Sequence, residues 1–344
     1  MARARAADGG APTMRDVAAR AGVSAMTVSR VLKDDPGVGA DTRTRVLAAV
    51  DALGYRRNEN ARSLRLGGAS GLVGLVVTNL ANPFYSRLAL GVQEVLSAHG
   101  LRVLLSNTGE HAERERDVVT DLVAHQVDGM IVVPAGSSQS HLAPAAVHHM
   151  PVVLASRPPA GMDADCVLVD DFGGAEEGTR QLISDGHRRI GFLGNPPVIY
   201  TGAERFRGYW AAHEAAGLQP DEQFVRRGLT DVAAAEAAAR AILGAADAPT
   251  ALFCTNNRMS QGAIRAVHAL GRPVAIAGFD DFELSDVLGV LGVPLTIVAY
   301  DADEVGRRAA RLLLERIGQA AGTGQAARRT VVPTRVIRYG AAPA

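Results

Sequence analysis

The stretch TMRDVAARAGVSAMTVSRVLK, Thr13 to Lys33, decides how the N-terminal part of this chain folds. Two short helical patterns flank Gly22, a residue suited to the tight turn between them. Ala18, Ala19 and Ala21 are small enough to let two helices approach, and Val23 anchors the turn from the apolar side. Ser24 stands where a side chain can N-cap the second helix. Val28, Val31 and Leu32 recur at i, i+3 and i+4 and mark its inward face. Ala25, Met26, Ser29, Arg30 and Lys33 are left on the opposite face, free to meet a base-pair edge as in a helix-turn-helix. A two-helix fragment of an ordinary helical domain carries the same pattern, so the neighbouring sequence has to decide between them.

Val38 to Tyr55, VGADTRTRVLAAVDALGY, reads as a third helix with Val46, Leu47, Val50 and Leu53 on one face and Gly54 as its stop. RRNENARSLRLGG follows, from Arg56 to Gly68. Here the chain resembles the lactose-repressor family of bacterial transcription regulators. The matching words are DVAARAGVS from Asp16, TVSRVL from Thr27, Thr42-Arg43, Gly54-Tyr55, and Asn58 with Ala61, Ser63 and Leu64. They stand in order over about sixty residues, and the likeness continues to the C-terminal end.

The resemblance implies a division of labour on DNA. Thr13, Ser24, Thr27, Ser29 and Thr42 would clamp the phosphate backbone and set register. Ala25, Met26 and Arg30 would face base edges, with Arg30 bidentate to a guanine. Tyr55 and Asn58 would touch backbone or groove floor, and Leu64, with Ala61 beside it, would wedge between base pairs from a hinge helix in the minor groove. A plain flexible linker remains open for this stretch, supported by Gly67, Gly68, Ser70 and Gly71. Two departures stand out: Arg57 replaces a common proline, and Gly39 replaces a serine able to contact phosphate. The implied partner is a pseudo-palindromic double-stranded operator bound by a homodimer, because one head buries too little for selective affinity.

Charge agrees with a single nucleic-acid face. The chain is neutral overall, yet residues 1–70 hold 12 Lys and Arg against 7 Asp and Glu, and the remainder holds 24 against 29. A basic head on an acidic body docks through the head, since phosphates repel the body. No apolar run reaches membrane-spanning length, and MARARAADGGAPT lacks the apolar centre of a signal peptide, so the reading is a cytoplasmic, nucleoid-associated protein with no membrane partner. Cys166 and Cys254 are too few for a metal cluster and read as reduced thiols.

Beyond Leu72 short apolar strands alternate with amphipathic helices. Residues 71–77, 102–107, 129–134, 151–156 and 166–170 read as buried parallel strands, with helices over 84–99 and 113–125. A second series covers 189–195, 250–256, 274–280 and 295–300. The fold class expected is α/β: a three-helix helix-turn-helix head on a two-lobed, periplasmic-binding-protein-like body of doubly wound parallel sheets. The boundaries are a disordered tail over 1–12, the DNA-binding domain over 13–57, the hinge over 58–70, and the effector-binding and dimerisation body over 71–344.

Such sheets place ligands beyond the carboxyl ends of their strands, which puts a pocket between the lobes. Candidate ligand-binding residues are Phe84, Tyr85, Ser156, Thr201, Arg205, Asn256, Asp280 and Tyr300. Arg205, Asn256 and Asp280 match positions where the family hydrogen-bonds sugar hydroxyls, although an Asn or Asp at a strand end also serves as a turn-former. Phe84 offers an apolar face for stacking. Where the family commonly has acids, this chain has Ser156 and Asn257, and Arg157 stands nearby. The pocket therefore suits an anionic effector such as a sugar acid or sugar phosphate, alongside plain sugars.

No acid/base pair, nucleophile with a partner, metal cluster or GxxxxGK[ST] phosphate loop is legible, so neither catalysis nor a cofactor is expected. His187, in GHRR, reads as a helix-end cap. The competing reading is a solute-binding carrier of the same two-lobed fold, which has no use for a basic head. Effector action is expected as a population shift. The helix from Phe84 to Leu96 would carry it, with Leu88, Val92 and Leu96 forming much of a dimer face, while a helix over 302–317 supports packing.

Overall fold

The computed structural model describes residues 12–55, 69–282, 285–286, 294–318 and 326–340. The chain divides into two compact units, Met1–Ser70 and Gly71–Ala344.

The head holds three helices, α1 (Met14–Ala21), α2 (Ala25–Val31) and α3 (Ala40–Leu53). Thr13 and Asp16 form a reciprocal capping box at the start of α1, and Gly22 ends it in the left-handed conformation that a glycine tolerates. Ser24 caps α2 by accepting from the Thr27 amide at 3.1 Å. Val17, Ala18, Ala21, Val28, Val31, Val46 and Ala49 make the small core. Two expectations need correction. Ala19 is exposed, and so is Leu47, at 45 %; the inward stripe of α3 is Val46, Ala49, Val50 and Leu53.

The body contains two six-stranded sheets. Lobe one is built from β1 (Leu72–Val77), α4 (Pro83–Ser97), β2 (Arg102–Asn107), α5 (Ala112–Ala124), β3 (Gly129–Val132), β4 (Val152–Ala155) and β5 (Asp165–Val169). Lobe two takes α6 (Asp171–Ser184), β6 (Ile190–Leu193), α7 (Tyr200–Ala215), β7 (Val225–Arg226), α8 (Val232–Leu243), β8 (Ala251–Cys254), α9 (Asn257–Leu270), β9 (Ala275–Phe279) and β10 (Leu295–Ala299). The chain then returns to lobe one for α10 (Ala302–Ile317) and β11 (Arg329–Val332), and ends in lobe two as β12 (Arg335–Tyr339). Strand orders are β11-β5-β4-β3-β1-β2 and β12-β10-β9-β8-β6-β7. Three short crossings, after β5, β10 and β11, thus join the lobes.

Several strand readings change. Strand 102–107 is parallel to β1 as expected but lies at the sheet edge with half-open residues, so it is not buried. The sheets also gain β7, β11 and β12, and β12 runs antiparallel to β10. These escaped notice because β7 is two residues long and the alternating arginines of 329–338 hide the apolar pattern.

Leu88, Val92 and Leu96 are fully buried inside lobe one. They pack in the cluster that also holds Val305, Ala309 and Leu313 of α10, so they cannot form an exposed dimer face. The outward side of α4 carries Leu90, 62 % exposed. Both cysteines are free and buried; burial pushes both thiols up, which keeps them protonated.

Candidate functional site

In the head, Met26 is 75 % exposed at the start of α2, an unusual position for a large apolar side chain with nothing to cover. Arg30 lies on the same helix, but its Nε donates to Asp35 at 2.9 Å. That pairing raises the guanidinium and lowers the carboxylate. To reach any other acceptor Arg30 would have to release Asp35, a small cost because both side chains are solvated. Ala25 is half-buried against the head core. The hydroxyls are partly committed: Thr13 donates to Asp16 at 2.7 Å, and Ser24 and Thr27 share a 2.9 Å bond. Ser29, Thr42 and Tyr55 are half-buried. Asn58, Ala61 and Leu64 lie outside the described residues.

In the body, one cavity between the lobes has about 800 Å³ of empty space including its open mouth. All eight candidate ligand residues, Phe84, Tyr85, Ser156, Thr201, Arg205, Asn256, Asp280 and Tyr300, line it. Ser156 and Asp280, each one residue past a strand, hold positive φ of 65° and 68°. Such backbone strain in non-glycine residues gathers at functional sites.

Arg205 is the hub. Its Nε donates to Asp171 at 2.7 Å, its Nη2 faces Asp280 at 3.4 Å, and its Nη1 donates to the Thr255 carbonyl. Its guanidinium also stacks over Phe279, 3.6 Å from the ring centroid. Burial works against its charge, yet Asp280 and Asp171 hold it above the usual guanidinium range. Burial pushes Asp171 up to about 6 in spite of the arginine beside it. Tyr300 donates to Asp280 at 2.9 Å, and its hydroxyl is pushed up by burial and by that carboxylate. Asp171 follows the first interlobe crossing and Tyr300 opens the second, so this network sits where the lobes are joined.

Asn256 caps α9 by accepting from the Met259 amide and gives its own NH₂ to Asn195. Across the cleft, Asn257 of lobe two donates to Asn82 of lobe one at 3.1 Å. Phe84 and Tyr300, with ring centroids 5.8 Å apart, form an apolar wall.

The expected anion anchor changes status. Arg157 is buried and bidentate to Glu110 at 2.6 and 2.7 Å, with a third bond to the Pro134 carbonyl. Its charge is already neutralised. Glu110 escaped the sequence because it lies 47 positions from its partner, in a turn with φ of 66°. Arg258, another lining residue, was also passed over, although it stands two positions past the strand-end Asn256.

Comparison with known proteins places both units. A family described as bacterial regulatory proteins, lacI family, matches residues 13–58. One described as periplasmic binding proteins and sugar binding domain of the LacI family matches residues 70–339. The transcriptional regulator GalS of Salmonella typhimurium is 33% identical over 334 residues, covering 96% of each chain. A solved complex of the regulator CelR with cellobiose is 31% identical, with a TM-score of 0.68 over 96% of this chain and all of that one. The lac repressor dimer bound to operator shares the fold, with a TM-score of 0.79 at 24% identity over 96% of this chain and 99% of its own.

Proposed function

This chain belongs to the LacI family of bacterial regulatory proteins, and we propose that it is a cytoplasmic homodimer on a pseudo-palindromic operator, released or recruited by a sugar-type effector. It is a DNA-binding transcriptional regulator with a sugar-binding type of body. The observation that carries the effector reading is the interlobe cavity, where an aromatic wall faces convergent polar groups at the junction of the lobes. The cellobiose bound by CelR supports a sugar as the ligand class. Residues 13–57 read the major groove, with Arg30 and Met26 at base edges. The hinge over 58–70 adds the minor-groove wedge at Leu64, with Asn58 and Ala61 beside it.

Switching follows from where the pocket sits. A ligand held by both Phe84 of lobe one and the Arg205–Asp280–Tyr300 network of lobe two favours one lobe arrangement. It shifts the operator-binding equilibrium by its difference in affinity for the two arrangements and no more. The test is operator binding by the full chain, selected from random duplexes and followed by fluorescence anisotropy, while sugars are titrated in. At least one sugar should shift the midpoint several-fold. Operator affinity that ignores every sugar which calorimetry shows to bind overturns the coupling.

A further inference from the structure

Three guanidinium groups line the interlobe cavity, those of Arg157, Arg205 and Arg258. Arg157 is matched by Glu110, and Arg205 by Asp171 and Asp280. Both lining carboxylates, Glu110 and Asp280, are thereby paired with a guanidinium. Arg258 is different. Its one polar contact is a 3.2 Å bond from Nη1 to the Thr230 carbonyl, and among the described residues it makes no ion pair. Asp231, beside Thr230, caps α8 through the Ala234 amide and feels the charge of Arg258, but makes no hydrogen bond to it. Most of the donors of Arg258 are thus left for whatever enters the cavity.

The backbone reinforces the sign of this field. The N-terminus of α7, which carries no side-chain cap, reaches the cavity through Ile199 and Thr201, and that of α9, where Asn256 takes only the Met259 amide, through Asn256 and Arg258. Their remaining amides favour negative charge. Asp280 offers a carboxylate oxygen suited to hydroxyls rather than to an anion, and it lies with Arg205 and Tyr300.

We infer that Arg258 is the specificity-determining residue of the effector site and anchors a carboxylate or phosphate on a sugar-sized ligand, whose hydroxyls face Asp280. This deepens the effector reading above and rests on it. A planar guanidinium with spare donors grips either anion bidentately.

The experiment is calorimetric titration of the full chain with matched pairs: glucose against glucuronate, galactose against galacturonate, and glucose against glucose 6-phosphate. In at least one pair the acid should bind tenfold or more tightly than its neutral partner; whether that pair holds a carboxylate or a phosphate identifies the anion. Arg258→Gln should remove that preference, a loss of about 10- to 100-fold for the acid, while neutral-sugar affinity falls by much less. Arg258→Lys should keep part of it. Neutral sugars binding as well as the acids in every pair, binding of none of the acids, or an Arg258→Gln variant that weakens both members equally each overturns the inference. Anion-selective binding that leaves operator affinity unmoved would instead overturn the switch and leave the anchor standing.

Discussion

Arg30 and Arg258 are both arginines on helix starts or faces, but their neighbours set different tasks. Arg30 is solvated and leans on Asp35, so in the proposed reading of DNA it would swap one acceptor for another at a base edge. Arg30→Ala should relax preference at one base pair per half-site by about 1–3 kcal/mol. Leu64→Ala should lower affinity for every operator alike; competition binding against single-base variants separates the two, and identical profiles would sink the division of labour. Asp171 shows what burial does to a carboxyl, lifting it from 3.8 to about 6. The folded state holds this proton more tightly than the unfolded chain. The group's contribution is therefore fully present below about pH 4 and is lost as pH rises through about 6. Asp171→Asn has no such dependence, so the stability gap between wild type and variant should move against wild type by about 2 kcal/mol from pH 4 to pH 7. Urea unfolding at several pH values reads this directly, and parallel profiles would refute it. Arg205, Asp280 and Tyr300 were legible as strand-end polar residues. That Asp171 joins them was not, because its partner stands 34 positions away and a charge pair leaves no local pattern.

Among helices, the pairing of α4 with α10 shows how one position sets a whole contact. A Cβ at Gly91 would come within 2.0 Å of the Asp303 carbonyl, and one at Gly306 within 2.1 Å of the Leu88 carbonyl. Backbone meets backbone there, so Gly306→Ala must push the helices apart at a cost of about 1–3 kcal/mol, read as a lowered denaturation midpoint. With Leu88, Val92 and Leu96 committed to this packing, an interface on α4 has to use its other side. Leu90 there and Leu105 on the edge strand β2 are both exposed. Leu105 shares a sheet face with Val103, which packs against the cluster containing α4. Leu90→Asp should yield monomers in sedimentation experiments and weaken operator binding; an unaltered dimer would exclude this face. Periodicity correctly placed α4 and α10, yet a stripe of Leu88, Val92 and Leu96 looks the same whether it meets another helix of its own chain or a second copy.

Across the molecule, the two units have separable work. Residues 71–344 contain the complete interlobe cavity, so a chain lacking residues 1–70 should bind effector as the full chain does and show no operator binding. Loss of effector binding in that fragment would mean that the head contributes to the pocket. The three crossings after β5, β10 and β11 join the lobes by short links, and Asp171 and Tyr300 stand at two of them.

Helix-turn-helix spacing, strand-helix alternation and the split of charge between head and body were settled by local order along the chain, since periods of two and 3.6 residues and capping side chains act over a few positions. Pocket membership of Phe84, Ser156, Arg205 and Asp280 was also readable, because strand ends in such sheets share one rim. Which guanidinium stays free was settled by folding alone. Glu110 reaches Arg157 across 47 residues and Asp171 reaches Arg205 across 34, and only the folded chain shows that, among the described residues, Arg258 makes no ion pair. Charge pairing depends on distance in space, and no pattern along the chain encodes it.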